Sequence, residues 1–238
     1  MGRIFEVRKA TMFARWAKNS KAFGKIGKEI AIAIKAAGPE PDNNPRLRNA
    51  IKTARSLNMP KDTIEAAIKK ASVKNSAQLS EVSYEAYGPH GVAMFIETAT
   101  DNPTRTVGNI RSYVTKHNGS LATSGALDFI FQRKGVFQIA EPAGDIEEFE
   151  LEMIDFGLEE LFATEGGYII YTKYDDFSEM QKALESKNVE VKSAGLQRIA
   201  TTQVSVNEEQ RAEVEKLLTK IEEDDDVQNV YHTMKVEE

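Results

Sequence analysis

The chain has 238 residues, of which 41% are hydrophobic, 29% charged and 8% aromatic, a composition that suits one to three small folded domains and argues against wholesale disorder. It contains no cysteine, which excludes disulfide frameworks, thiolate zinc sites, Fe–S ligation and cysteine nucleophiles, and its three histidines, His90, His117 and His232, lack any metal-ligand spacing such as HExxH. The net charge of −6 hides an asymmetry: residues 1–75 hold 17 Lys+Arg against 6 Asp+Glu, whereas residues 76–238 hold 14 against 31.

The start, Met1-Gly2-Arg3-Ile4-Phe5-Glu6, has no apolar signal core, and Glu6 stands where a myristoylation motif wants Ser or Thr. No apolar run approaches the roughly 18 residues that cross a bilayer. A cytoplasmic protein without membrane contact is expected.

The basic head reads as helices. Phe5, Phe13 and Trp16 interleave with Arg8, Lys9, Arg15 and Lys18, an arrangement open both to packing a short bundle and to stacking on bases. From Phe23, apolar residues Phe23, Ile26, Ile30, Ala33, Ile34 and Ala37 recur at three and four, and Gly38-Pro39 ends that helix; Lys18, Lys21, Lys25 and Lys28 follow the same period on another face. Asn43-Asn44-Pro45 caps a second helix with its stripe at Leu47, Ile51, Ala54 and Leu57, and Arg48, Lys52 and Arg55 on its other side. Asn58-Met59-Pro60 restarts the chain into a third, striped at Ile64, Ala67, Ile68 and Ala71, with Lys61, Lys69 and Lys70 outside. Few acids are spaced to neutralise these faces, so the head is expected to meet a polyanion; the competing reading is that basic head and acidic body attract each other.

Ser72 to Ser80 is small and polar and reads as a linker that lets the head move. Beyond it, Val92–Thr98 is a predicted strand, Asp101-Asn102-Pro103 starts a helix buried through Val107, Ile110, Tyr113 and Val114, Lys116-His117-Asn118-Gly119 ends it, and the alternation Leu127, Phe129, Phe131 predicts a strand. A strand at 136–139, an acidic helix at 146–156, a strand near Leu161, a strand at 168–172, a helix at 177–184 and a strand at 189–192 predict a ferredoxin-like β-α-β-β-α-β unit. Finally 203–206, 208–221 and 227–232 read as strand, helix and strand, completing the half begun at 80–134. The expected fold class is α+β in three domains: a basic helical domain over 1–76, a discontinuous ferredoxin-like-type α+β domain over 77–134 and 203–238, and an inserted acidic ferredoxin-like domain over 135–202.

No constellation of residues supports catalysis. His90 in Gly88-Pro89-His90-Gly91 has no second group spaced to assist it, and a turn before a strand explains the glycines and proline. Asp101, Asn102 and Arg105 at a helix start can hold an anion, although capping alone accounts for the first two. The run Glu222-Glu223-Asp224-Asp225-Asp226 lacks the ligand spacing of a calcium loop and reads first as a solvated acidic turn, alternatively as a dock for a basic protein or for the chain's own head. No phosphate loop, nucleophile set or metal set is present, so a non-enzymatic protein without metal or cofactor is expected.

The runs Asn44-Pro45-Arg46-Leu47-Arg48, Asn58-Met59-Pro60-Lys61-Asp62, Tyr87-Gly88-Pro89-His90-Gly91, Asp101-Asn102 with Thr104-Arg105-Thr106, Arg133-Lys134-Gly135 and Asp224 to Tyr231 resemble the YebC/PmpR family. That family includes bacterial proteins described as transcriptional regulators and the mitochondrial translational activator of cytochrome c oxidase subunit I. The resemblance implies a three-domain cytoplasmic protein without known catalytic residues, and two competing roles: promoter DNA binding, or action at the ribosome. The chain departs at its start, where many relatives open with Gly-His-Ser-Lys-Trp. Taken with the residue pattern, this predicts a monomeric transcription regulator that binds DNA, with a ribosome-associated translation factor contacting ribosomal RNA as the alternative. The candidate contacts are Arg8, Lys9, Arg15, Lys18, Lys21, Lys25, Lys28, Arg46, Arg48, Lys52, Arg55, Lys61, Lys69 and Lys70.

Overall fold

The computed structural model describes residues 21–73 and 79–235. Three helices form the head: α1 (Lys21–Ala37), α2 (Pro45–Ser56) and α3 (Lys61–Ala71). Their apolar stripes meet in one core of Ile26, Ile30, Ala33, Ile34, Leu47, Ala50, Ala54, Met59 and Ile64. Asn44 sets the turn between the first two helices. Its side-chain oxygen accepts from the Leu47 amide at 3.0 Å, capping α2, while its Nδ2 donates to the carbonyls of Ala33 at 2.7 Å and Gly38 at 2.8 Å, closing α1. Phe23, placed by its spacing on the α1 stripe, is instead 37% exposed and stands outside the head core.

The body contains two four-stranded sheets. The first has the order β3-β1-β2-β8, from β1 (Ser80–Tyr87), β2 (Ala93–Thr100), β3 (Ser120–Leu121) and β8 (Val227–His232). β1 and β2 form an antiparallel hairpin, and β8 pairs antiparallel with β2 from Met94↔His232 to Thr98↔Val227. Helices α4 (Pro103–Lys116) and α7 (Glu208–Glu222) cover one face, burying Ile110, Val114, Val214, Leu217, Leu218 and Ile221 against Met94 and Ile96. The chain thus returns near its C-terminal end to finish a sheet begun more than a hundred residues earlier.

Two expected strands of this sheet, over Leu127 to Phe131 and over 203–206, are corrected, and β1 is a strand beyond those expected. The hairpin strand β1 was not anticipated, because its buried Glu85 breaks the apolar alternation. The predicted strand over Leu127, Phe129 and Phe131 is a turn across 124–130. The Glu85 carboxylate lies beneath it and accepts from the Gly125 and Leu127 amides, each at 2.6 Å. Burial does alternate, with Leu127 and Phe131 inside and Phe129 76% exposed, but those amides go to a side chain rather than a ladder. Likewise 203–206 forms only a single bridge, Val204 to Met234.

The second sheet has the order β5-β6-β4-β7, from β4 (Phe131–Ile139), β5 (Leu158–Thr164), β6 (Gly167–Lys173) and β7 (Val191–Ala200), with α5 (Ile146–Ile154) and α6 (Phe177–Ser186) between strands. This is the β-α-β-β-α-β sequence of elements expected for it. Phe137, Ile139, Ile170, Phe149, Met153, Met180 and Leu184 make its core, and the Phe137 and Phe177 rings stack 4.7 Å apart. Contacts divide the chain into two compact units, with 132–199 in one and 21–131 with 200–235 in the other, so the head shares a unit with the first sheet.

Asn118, with φ +59°, ends α4 as a left-handed residue, and Gly119 then passes so close to β1 that a Cβ there would lie 2.4 Å from the Tyr87 carbonyl oxygen. Gly119→Ala is expected to destabilise the protein by about 1–3 kcal/mol, read as a lower midpoint in urea unfolding at unchanged slope.

Candidate nucleic-acid interface

The head's cations fall into groups that the sequence treated alike. Arg8, Lys9, Arg15 and Lys18 lie outside the described residues, as do the aromatic rings of Phe5, Phe13 and Trp16, and Lys21 opens α1 without a described side chain. The predicted linker also falls largely on undescribed residues, 74–78.

Lys25 and Lys28 turn inward, onto the acidic run that ends α7. Lys25, 8% exposed, donates to the Glu222 carbonyl at 3.2 Å. Lys28 donates to the Ala99 carbonyl at 3.0 Å, the Asp225 carbonyl at 2.8 Å and Asp226 Oδ1 at 2.7 Å. The other Asp226 oxygen accepts from Arg105 Nη2 at 2.8 Å, from the Thr106 hydroxyl at 2.8 Å and from the Thr100 hydroxyl at 3.0 Å. Burial raises the pKa of this carboxyl, but the bonds from Arg105, Lys28 and Thr106 outweigh it and hold the group well below the usual carboxylate range. Asp224 is equally committed, accepting from Asn109 Nδ2 at 3.1 Å, the Tyr113 hydroxyl at 3.0 Å and the Asp226 amide at 2.9 Å. The first reading of this run as a solvated turn is therefore corrected: it docks the chain's own head.

Arg46 likewise works within the protein. Its Nε donates to Glu29 at 2.7 Å and its Nη2 to Glu81 at 2.6 Å, tying α2 to both α1 and β1. Desolvation lowers its pKa, yet the two carboxylates raise it above the ordinary arginine value. Arg48 donates to the carbonyls of Pro41 at 2.9 Å and Asp42 at 2.8 Å, clamping the turn before α2. At the start of α4, Asn102 accepts from the Arg105 amide at 3.0 Å and Arg105 pairs with Asp101 at 2.8 Å, so capping and ion pairing occupy the residues weighed as an anion site.

Five candidates point outward. Arg55, Lys61, Lys69 and Lys70 are exposed and Lys52 is half-buried on the outer side of α2. Among the described residues no carboxylate pairs with Lys52, Arg55, Lys69 or Lys70, and Lys61 meets Glu65 only at 3.5 Å with both side chains in solvent. Such an exposed pair is worth little and leaves Lys61 available. Arg55, Lys69 and Lys70 stand in the last turns of their helices, where the dipole tolerates a dense group of cations.

His90 sits in a left-handed turn (φ +60°) with Nε2 2.8 Å from Glu213, on the surface. Among the described residues no group of His, Asp and Glu is placed to hold a metal ion, and no helix is long and apolar enough to cross a membrane.

A cationic three-helix head packed against a sheet that the C-terminal segment completes, together with a second four-stranded sheet of ferredoxin-like element order, defines a multi-domain α+β protein. The model of the TACO1/YebC N-terminal domain matches residues 3–74 and that of the second and third domains matches 79–234, and the chain belongs to this family. A "probable transcriptional regulatory protein" of Flavobacterium johnsoniae is 51% identical, covering 100% of both chains, and one of Porphyromonas gingivalis is 51% identical over 100% of this chain and 99% of its own. The crystal structure of a conserved hypothetical protein from Aquifex aeolicus superposes with a TM-score of 0.78 at 38% identity, covering 92% of this chain and 90% of that one.

The buried carboxylate generates a pH-dependent expectation. Since its folded pKa is depressed, Asp226 contributes stability above the unfolded carboxylate value, near 3.9, and loses that contribution as pH falls toward the folded value. Asp226→Asn should therefore cost about 3 kcal/mol at pH 7, through unpaired Lys28 and Arg105, with the gap to wild type narrowing below roughly pH 4. Urea unfolding of both proteins across that range measures it.

Proposed function

We propose that this protein is a transcriptional regulator that binds double-stranded DNA through the outer faces of α2 and α3. The observation that carries the reading is the set of Lys52, Arg55, Lys69 and Lys70 on α2 and α3, exposed or half-exposed cations without carboxylate partners among the described residues. Exposed cations on one face of a domain with few acids to offset them are the electrostatic footprint of a phosphate-binding surface. The names carried by the relatives, probable transcriptional regulatory protein, agree with it. The charges are spread over two helices rather than focused on one that could enter a groove, which favours contact with the phosphate backbone over base reading. The reading gives the chain no catalytic step and no cofactor, and places it in the cytoplasm as a monomer.

With Lys61 included, about five phosphates are neutralised, so log affinity against log salt should have a slope of about −4.5 on duplex DNA. Changing Lys52, Arg55, Lys69 and Lys70 to Glu is expected to abolish binding while the circular dichroism spectrum and urea midpoint stay close to wild type, because among the described residues none of the four side chains is held by an ion pair. Fluorescence anisotropy on duplex DNA and on a structured ribosomal RNA fragment, in parallel, reads both affinity and slope. A flat salt response, or an unchanged affinity in the variant, overturns the reading; preference for the RNA by more than tenfold moves the function to the ribosome.

A further inference from the structure

The inserted unit carries an unusual helix face that the head's function does not use. Over 132–199 the chain holds 15 acidic against 7 basic residues. Helix α5, capped by Asp145, buries Phe149 and Met153 and turns its opposite side to solvent. That side presents Leu151, 67% exposed, and Ile154, 52% exposed, one helical turn apart. Around them Glu147, Glu148 and Glu150 are all exposed, and among the described residues none of the three pairs with a cation.

The spacing makes this more than a scatter of surface leucines. On a solvated helix the residues four positions after Glu147 and Glu150 are where Lys or Arg would offset each charge. Those positions are Leu151 and Ile154. The chain therefore forgoes two ion pairs and exposes two large apolar side chains in their place. The last turn of α5 also has no basic residue, and exposed Asp155 follows it, so the negative end of the helix dipole adds to the carboxylates. Glu152, by contrast, is paired with Lys187 at 2.5 Å.

We propose that the outer face of α5 is a docking surface for a basic amphipathic helix of a partner protein. The partner's apolar stripe covers Leu151 and Ile154, and lysines or arginines on either side of it meet Glu147, Glu148 and Glu150. Helix-on-helix docking of this kind places apolar anchors at three- and four-residue spacing, with charged pairs at the rim. The occupant is not nucleic acid, because the rim of carboxylates repels phosphate. Nor is it the same face of a second copy, because a two-fold contact would set the carboxylates against one another.

The test uses the full-length protein and a fluorescein-labelled synthetic helix with leucines on one face and lysines on the other, followed by anisotropy. The same peptide with glutamates in place of the lysines serves as its control. Wild type should bind the lysine peptide and not the glutamate one. Leu151→Ser with Ile154→Ser should weaken binding about tenfold or more, the loss of two partly buried apolar contacts. Glu147→Gln, Glu148→Gln and Glu150→Gln together should weaken it and flatten its salt dependence. All five positions are exposed, so the variants keep the wild-type fold by circular dichroism. The DNA-binding variant at Lys52, Arg55, Lys69 and Lys70 should bind the peptide like wild type, which separates this proposal from that of the head. No binding, equal binding of the glutamate peptide, or equal binding by the Leu151/Ile154 variant overturns it. Self-association of wild type that this variant abolishes assigns the face to a second copy instead.

Discussion

The described head and first sheet depend on one buried carboxylate. Asp226 lies at the turn between α7 and β8, only 4% exposed, and an isolated charge at such a position would be costly. It is tolerated because Lys28 reaches it from the head, Arg105 and Thr106 from the start of α4, and Thr100 from the end of β2. Three segments converge on two oxygen atoms. The geometry of each is constrained by the need to satisfy the same charge, and a charge-assisted bond tolerates less displacement than an apolar contact does.

This arrangement sorts the head's cations by function. Lys25, Lys28 and Arg46 bind the head to the first sheet and its C-terminal segment, and carboxylates already offset the charge of Lys28 and Arg46 before any ligand arrives. Lys52, Arg55, Lys69 and Lys70 have no such partner among the described residues, and their field extends into solvent over roughly a Debye length of 8 Å at physiological salt. A head whose cations all faced outward would have no ionic hold on its own body. One whose cations all faced inward would have no field to offer. The division between the inner face of α1 and the outer faces of α2 and α3 supplies both.

The inserted unit extends the segregation of charge. Its acids are gathered away from the head in sequence, between two crossings of the chain at 131/132 and 199/200. An insertion at that point is feasible because the first sheet is closed by β8, which pairs with β2 irrespective of what intervenes, and because α7 supplies half of the covering layer. The cost is a sheet with many long-range pairings, whose formation waits on closure of a long loop.

Helical period and capping chemistry were legible along the chain. The stripes of α1, α2 and α3, the Asn44 and Asn102 caps, the left-handed stop at Asn118, the ferredoxin-like order of the inserted unit and the return of the C-terminal segment to the first sheet all follow from local spacing and turn residues. Where a side chain reached across the fold, local pattern misled. Glu85 sits mid-strand as though solvated, yet it is buried to hold the 124–130 turn, so β1 carries no clean strand pattern and the alternation at Leu127 to Phe131 belongs to a turn rather than a strand. Five consecutive acids ending at Asp226 resemble a solvated run, and Lys28 resembles Lys52, until the tertiary structure brings a lysine 198 positions away onto the carboxylate. Spacing and capping along the chain specify the helices of the head and the split of charge between a basic N-terminal and an acidic later segment. Only the tertiary structure decided which of those cations are neutralised within the protein, because periodicity records the face a residue occupies, whereas pairing depends on what the fold places opposite that face.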